Sequence, residues 1–447
     1  MNLTLEYISN AVGGRLSVTA DAKRTVNAFF SDSRTPENDK MFLALRGERV
    51  DGNDFVKDLV NNGFCAMTDR EDNLNVGGDV IYVSDVRTAL QSLSEFYRHN
   101  QLANVPIVGI TGSVGKTTTK DMVALAMSGC LKTHKTLGNS NSQIGLPQTL
   151  LATPIDSECA IVELGMSMPG EMERIAKCAS PDISVITNIG YSHIENLGSR
   201  EAIRDEKIKI AAYSSYDSKL ILNGDEPLLR ELEIEKKRCC FVSVEDSSCD
   251  CYAEDILERD GTLSFVANVY GKKYNVSLCL IGRHYVMNSL FALAVAYHIG
   301  IDVAKAAEKL SEYKSDGKRL YIYESEGHTV ISDCYNASPE SMRAALSVLS
   351  AAKGRRIAVL GDMLELGNES PALHAEVGRE VDKTADVLIT YGSLAEHIAS
   401  VSRLEEKYMF AKEDAEKLKE FLNSFIKEGD TVLYKASNGM NLGRVIV

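Results

Sequence analysis

The stretch VPIVGITGSVGKTTTKD, residues 105–121, decides the fold of the chain. Its first six residues form a short, fully apolar run, as a buried parallel strand does. A glycine-rich turn follows, and a helix is predicted from about Thr117 to Ser128. Strand, glycine turn and helix in that order make the setting of a phosphate-binding loop. Glycines let the backbone aim N–H groups at phosphate oxygens, and the helix N-terminus adds positive potential. Lys116 is placed to reach the β- and γ-phosphates of a nucleotide, and the Thr117 hydroxyl to ligate Mg2+. The strict G-x-x-x-x-G-K-[ST] pattern is not met, because Ile110 stands where its first glycine would be. The loop is the variant T-G-x-x-G-K-T. The bland alternative is a glycine turn that caps a helix and happens to precede a lysine.

Two further segments end apolar runs with polar residues. AIVELG places Glu163 at the carboxyl end of a strand, and ISVITNIG leads to His193 and, further on, Lys207. In an open parallel sheet ligands bind beyond the carboxyl ends of the strands, so all three residues point to the rim that carries the phosphate loop. Glu163 suits Mg2+, a hard cation that prefers oxygen, whereas His193 is a less usual ligand for it. Each residue alone has a plainer reading: Glu163 as a solvated acid at a strand end, His193 as a packed or capping histidine, Lys207 as helix surface.

Length sets the wider frame, since 447 residues exceed one ordinary core and point to three domains. The expected class is α/β. A small N-terminal α/β domain would span residues 1–104, with a helix over Asp51–Asn62 stopped by Gly63, strands at Phe64–Thr68 and Asp79–Val83, and a helix from Val86 to about His99. The polar segment Asn100–Pro106 reads as a linker. A central P-loop domain with a parallel sheet would span 105–314, closed by a helix at Tyr285–His298. The polar, glycine-containing SDGKR, Ser315–Arg319, marks the second boundary. In residues 315–447 the runs HTVISDCY, RRIAVLGDM, DVLITYG and DTVLYKAS alternate with helices, one with Ser338 as N-cap and Pro339 at its first position. That alternation implies a Rossmann-like, doubly wound domain.

Composition excludes several classes. The formal net charge is −14 and no long Lys/Arg run is present, so neither a nucleic-acid partner nor an anionic membrane is expected. No apolar stretch reaches the length of a bilayer span, and the N-terminus MNLTLEYISNAVGG lacks the marks of a signal peptide. The ten cysteines are scattered. Cys239, Cys240, Cys249 and Cys251 lack paired C-x-x-C spacing, so reduced thiols in a cytoplasmic, monomeric protein are expected.

Taken together, these residues resemble the muramyl ligases of peptidoglycan synthesis, over essentially the whole chain and in matching order. FFSDSR (Phe29–Arg34) and MFLALRGERVDGNDF (Met41–Phe55) resemble the family's UDP-binding segment, which puts Ser33, Arg34, Arg46 and Gly47 near a nucleotide-sugar; Asn53 stands where the family usually has histidine. TGSVGKTT (Thr111, Gly112, Ser113, Val114, Gly115, Lys116, Thr117, Thr118) resembles its ATP loop, and GNSNSQIGLP (Gly138–Pro147) the segment beyond, with Asn139 and Asn141 as substrate-side residues. Glu163 and His193 match family magnesium positions, alongside Thr117, and Lys207 matches a lysine that the family carbamylates with CO2 to make a metal ligand. LNGDEP (Leu222–Pro227) and GRHYVMNSLFALA (Gly282–Ala294) resemble adenine-side elements, with Asn288 matching. Arg319 matches an arginine near the γ-phosphate. DCYNASPESM (Asp333–Met342, with Asp333 and Asn336 on the nucleotide side), GDMLELG (Gly361–Gly367) and YKASNGM (Tyr434–Met440, with Lys435 and Ser437 on the dipeptide side) resemble the C-terminal signatures of the branch that adds D-alanyl-D-alanine.

The resemblance implies ATP and two Mg2+ ions as cofactors, and UDP-N-acetylmuramoyl-tripeptide and D-alanyl-D-alanine as substrates. It implies transfer of the γ-phosphoryl group to a carboxylate, attack of an amine on the acyl phosphate, and release of phosphate. Lys116, Arg319 and the metal site of His193 and Lys207 would carry the catalysis, and closure of the C-terminal domain would bring the amine in. Two rivals stay open: another ligase of the superfamily, for a third muramyl residue or folylpolyglutamate, and a P-loop NTPase switch. A non-catalytic relative would be expected to lack Lys116, Glu163, His193 or Lys207, and all four are present.

Overall fold

The computed structural model describes residues 2–37, 39–232, 239–259, 261–315, 317 and 319–447. The boundary expected at Ser315–Arg319 includes Asp316 and Lys318, which lie outside the described residues, as does Met1 at the N-terminus.

The apolar run that opened the sequence reading is the strand Ile107–Thr111, buried along its whole length. It pairs in parallel with Cys159–Glu163 on one side and Ile183–Ile186 on the other. Among the described residues this central sheet has nine strands, continuing in parallel through Thr133–Lys135 at one edge and through Lys219–Asn223, Cys239–Ser243 and Cys251–Arg259 toward the other. Helix Lys116–Ser128 and the almost wholly apolar His284–Ile299 pack against each other and cover one face of this sheet. Sequence reading passes over the antiparallel extension at the far edge, Thr262–Val269 and Lys272–Leu278. Its turn is Tyr270-Gly271, both in the left-handed region (φ 49° and 82°), the geometry of a tight hairpin whose twist matches its strands. The Asn268 side chain accepts the Gly271 N–H at 2.8 Å and fixes that turn.

The C-terminal sheet has six strands among the described residues, in the order Tyr321–Ser325, His328–Asp333, Thr431–Lys435, Arg356–Gly361, Val387–Tyr391, Glu406–Phe410. All pairings are parallel except that of the first strand with the second, so the domain is doubly wound as expected. Ser338 caps the helix Pro339–Ser350, and a reciprocal bond from Ser341 completes a capping box. The N-terminal sheet holds the short strands Ala28–Phe30, Lys40–Leu43, Cys65–Thr68, Val80–Tyr82 and Arg15–Leu16.

Helix Val86–Asn100, read with the N-terminal domain, packs against Gly145–Ala152 and Glu171–Ala179 of the centre. The segment after it is no free linker. Arg98 is buried, and its guanidinium donates to the carbonyls of Leu102 (2.5 Å) and Ala179 (3.1 Å) and to Asp182 (2.9 Å). Asp182 in turn accepts the Ile107 N–H at 2.7 Å, at the start of the central strand. One side chain thus ties the end of that helix to the strand that leads into the phosphate loop.

Replacing Arg98 by methionine should cost about 2 kcal/mol, because buried carbonyls lose their donor. A lower midpoint in thermal or urea unfolding would show it, and an unchanged midpoint would refute the role.

Candidate active site

A cleft of about 780 Å3 opens at the carboxyl ends of the central strands and is walled on its far side by the C-terminal domain. Ser113, Val114, Gly115, Lys116 and Thr118 of the phosphate loop line it, as do Asn139, Asn141, Glu163, His193 and Asn288 of the centre and Arg319, Asp333, Asn336 and Lys435 from the C-terminal side. The remaining predicted residues stand elsewhere. Thr111, Gly112 and Thr117 lie just beneath the loop surface, Lys207 lies in the buried wall, and Ser437 sits behind Lys435 with its hydroxyl accepting the Leu364 N–H at 2.9 Å. Ser33, Arg34, Arg46 and Gly47 lie in the N-terminal domain, outside the cleft lining.

The loop is built by close backbone approach. Gly115 has φ 81° and caps helix Lys116–Ser128, and a Cβ at Gly112 would collide with the Thr187 hydroxyl. The Asn188 side chain accepts the N–H groups of Ser113 (3.0 Å) and Val114 (2.9 Å), and the Thr187 hydroxyl donates to the Val114 carbonyl at 2.6 Å. The first-turn N–H groups of the helix, which no carbonyl within it can satisfy, open on the cleft. Lys116 Nζ folds back on the loop carbonyls of Gly112 (2.8 Å) and Ser113 (3.2 Å). Burial lowers its ammonium below the ordinary lysine value; Glu163 opposes that shift and Arg319 adds to it.

Glu163 is only 1% exposed, which removes the reading of a solvated strand-end acid. Its two carboxylate oxygens accept from the Thr117 hydroxyl and from Asn141 Nδ2, both at 2.8 Å. A hydroxyl and a carboxylate side by side under the loop are hard oxygen donors of the kind Mg2+ takes. Lys207, which the residues alone placed on a helix surface, is 2% exposed at the end of helix Arg200–Lys207. Lys207 lies one turn after Ile203 on the buried side of the helix, which continues to Ile210. Among the described residues its amine has no hydrogen bond or ion pair. Burial, and then the nearby Lys116, push it well below the usual lysine range.

His193 precedes the short helix Ile194–Leu197 in a left-handed conformation (φ 65°), and its Nδ1 lies 2.5 Å from Oε2 of Glu365, in the GDMLELG loop of the C-terminal domain. Across the cleft Asp333 and Lys435 are register partners at the ends of adjacent strands. Lys435 Nζ donates to Asp333 at 2.5 Å and to the Asn336 carbonyl at 2.9 Å. The Arg319 guanidinium stacks over the Tyr335 ring at 4.4 Å. Asn288 reaches the loop helix, accepting from the Thr119 hydroxyl at 3.0 Å.

Sequence reasoning missed Thr187, Asn188, Glu340 and Glu365. The first two follow the ISVITNIG strand and could have been suspected from their place at a strand end. The glutamates lie inside two motifs already singled out, DCYNASPESM and GDMLELG, but their contacts with the central domain run across a domain boundary that no local pattern shows.

Three family models match in chain order: the Mur ligase family catalytic domain over residues 26–102, the Mur ligase middle domain over 110–296, and the Mur ligase glutamate ligase domain over 318–438. A Bacillus subtilis (strain 168) protein, UDP-N-acetylmuramoyl-tripeptide--D-alanyl-D-alanine ligase, is 36% identical over 99% of this chain and 97% of its own length. The chain belongs to the Mur ligase family. A second Mur ligase of that name, from Escherichia coli (strain K12), is 30% identical over 91% of this chain and 90% of its own. Among solved structures, MurF from Acinetobacter baumannii matches with a TM-score of 0.91 at 27% identity, covering 100% of this chain and 98% of that one. MurF from Thermotoga maritima in complex with ADP matches with 0.84 at 28% identity, covering 94% and 96%. In this Mur ligase the three matched segments meet at the cleft just described, through Arg87, the phosphate loop and Arg319.

Lys116→Ala should lower ATP turnover by several orders of magnitude while leaving the far-ultraviolet circular dichroism unchanged, because charge neutralisation and positioning carry phosphoryl transfer. Near-normal ADP formation in the folded variant would remove Lys116 from that role.

Proposed function

We propose that this chain joins D-alanyl-D-alanine to UDP-N-acetylmuramoyl-tripeptide with cleavage of ATP to ADP and phosphate, as a cytoplasmic step of peptidoglycan precursor synthesis. The observation that carries the reading is the composition of the cleft. The phosphate-loop cation Lys116, the oxygen donors near Glu163, and Arg319, Asp333 and Lys435 of the C-terminal domain face one volume, in a chain that aligns end to end with ligases of that name.

Joining a carboxylate to an amine in water is uphill, and ATP coupling makes it downhill. The γ-phosphoryl group passes to the terminal carboxylate of the tripeptide; the amine of the dipeptide then attacks the acyl carbon, and phosphate leaves. Lys116 and Arg319 would neutralise charge that gathers on the transferring group, and the first-turn N–H groups of the loop helix would hold the phosphates. Asn139 and Asn141 would orient the acceptor, Asn288 and Asn336 the nucleotide, and Lys435, braced by Asp333, the carboxylate of the dipeptide. No side-chain nucleophile is required. Ser33, Arg34, Arg46 and Gly47 would hold the UDP end at a distance from the chemistry.

Thr117, Glu163, His193 and Lys207 would hold Mg2+, whose charge would stabilise the phosphates when bound. Burial loosens the proton on the Lys207 amine, which favours capture of CO2 as a carbamate and so turns a cation into an oxygen ligand. A bare ammonium about 4 Å from a cation would cost on the order of 4 kcal/mol per unit of metal charge at an effective dielectric near 20. The lack of any partner for Lys207 among the described residues supports this assignment.

ADP release should need both the UDP-linked tripeptide and the dipeptide, with a UDP-muramoyl-pentapeptide as product detected by mass. Equal ATP consumption without the UDP-linked acceptor would point to a nucleotide switch instead. Lys207→Arg keeps charge but cannot form the carbamate, so activity should fall at least a hundredfold. Intact-protein mass spectrometry under bicarbonate should show the CO2 adduct only in the parent chain, and full activity in the Lys207→Arg protein would dismiss the modification.

A further inference from the structure

The loop 188–198 of the central domain and the GDMLELG loop of the C-terminal domain meet in an unusual way. His193 and Glu365 both have φ 65°, a left-handed conformation that non-glycine residues adopt only where the surroundings impose it. Their side chains face each other, Nδ1 of the imidazole lying 2.5 Å from the Glu365 carboxylate. The contact is an ion-pair approach that does not meet hydrogen-bond geometry, and the buried Nδ1 has no hydrogen-bond partner among the described residues. The backbones lock as well: the Glu195 N–H donates to the Glu365 carbonyl at 3.3 Å, and a Cβ on Gly367 would lie 3.2 Å from Glu195 Cα.

We infer that Glu365 is a positioning residue for His193, so that docking of the C-terminal domain orients the metal-facing imidazole of the central domain. With Nδ1 engaged by the carboxylate, Nε2 is the ring nitrogen left for a cation at the cleft. A carboxylate on the distal nitrogen of a metal-bound histidine fixes its tautomer and ring angle and raises its basicity, and loss of such a partner typically weakens metal binding 10- to 100-fold. Here that partner comes from a different domain. Glu365 therefore links domain docking to the readiness of the metal site, and a swung-out C-terminal domain leaves His193 unbraced. The inference rests on the reading of His193 as a metal ligand.

The test measures Mn2+ binding to the full chain in the presence of adenylyl imidodiphosphate, by electron paramagnetic resonance, for the parent, His193→Ala, Glu365→Ala, Glu365→Gln and the His193→Ala/Glu365→Ala double variant. His193→Ala should weaken one bound Mn2+ equivalent. Glu365→Ala should weaken the same equivalent 10- to 100-fold, Glu365→Gln less, and the double variant no more than His193→Ala alone. Unchanged Mn2+ affinity in His193→Ala would overturn the metal reading itself. A clear loss in His193→Ala with parent-like affinity in both Glu365 variants would overturn the positioning role alone. Fully additive losses in the double variant would also overturn it, since Glu365 would then act elsewhere. The Glu365 side chain is half exposed, and Glu365→Gln keeps its size and acceptor, so folded protein is available for the comparison.

Discussion

Lys116, at the rim of the parallel central sheet, lies within electrostatic reach of two other cations, Arg319 and Lys207, and of the buried Glu163 carboxylate. Burial is the main reason that both lysines hold their protons less tightly than usual; Arg319 adds to the effect on Lys116 against Glu163, and Lys116 adds to the effect on Lys207 against Glu206. Such a cluster is unfavourable by itself in a site shielded from water. A polyphosphate with its cations, and a Lys207 turned into an anion, would relieve it. The rest of the site follows from this arrangement: Thr117 and Asn141 hold Glu163 in place, and Asn188 and Thr187 hold the loop that carries Lys116.

The C-terminal domain completes the cleft through carboxylates as well as cations. Glu365 meets His193, and Glu340, second in the helix capped by Ser338, accepts the Tyr191 N–H at 3.3 Å while its other oxygen is buried without a partner among the described residues. The Glu340 carboxylate sits directly over the Gly190 backbone, where a Cβ would lie 2.6 Å from it, so a side chain at 190 would push that carboxylate aside.

The N-terminal domain manages its charges differently. Asn53, which stands where the family usually has histidine, is 1% exposed; its amide donates to Asp51 and Asp69 at 2.8 and 2.7 Å, and its oxygen accepts from Thr68. Arg46 pairs with Asp69 and Arg34 with Asp32. An amide at position 53 can join two carboxylates without a proton change, so this network keeps its form across the range in which a histidine would titrate.

The sequence by itself determined the elements and the phosphate loop. An apolar run, a glycine turn and a lysine at a helix start are local facts, and the alternation of strands and helices after Arg319 is a periodic one; both survive in the structure with shifts of a residue or two. Glu163 was legible as a strand-end residue and His193 as a residue in the loop after a strand, because that rim of a parallel sheet has a fixed meaning. Lys207 was not, since nothing local separates an exposed helix lysine from one turned into a wall by its neighbours' packing. The same holds for Arg98, Glu340 and Glu365. Their roles depend on which distant groups come into contact with them, and that is set by packing across the fold rather than by any spacing along the chain.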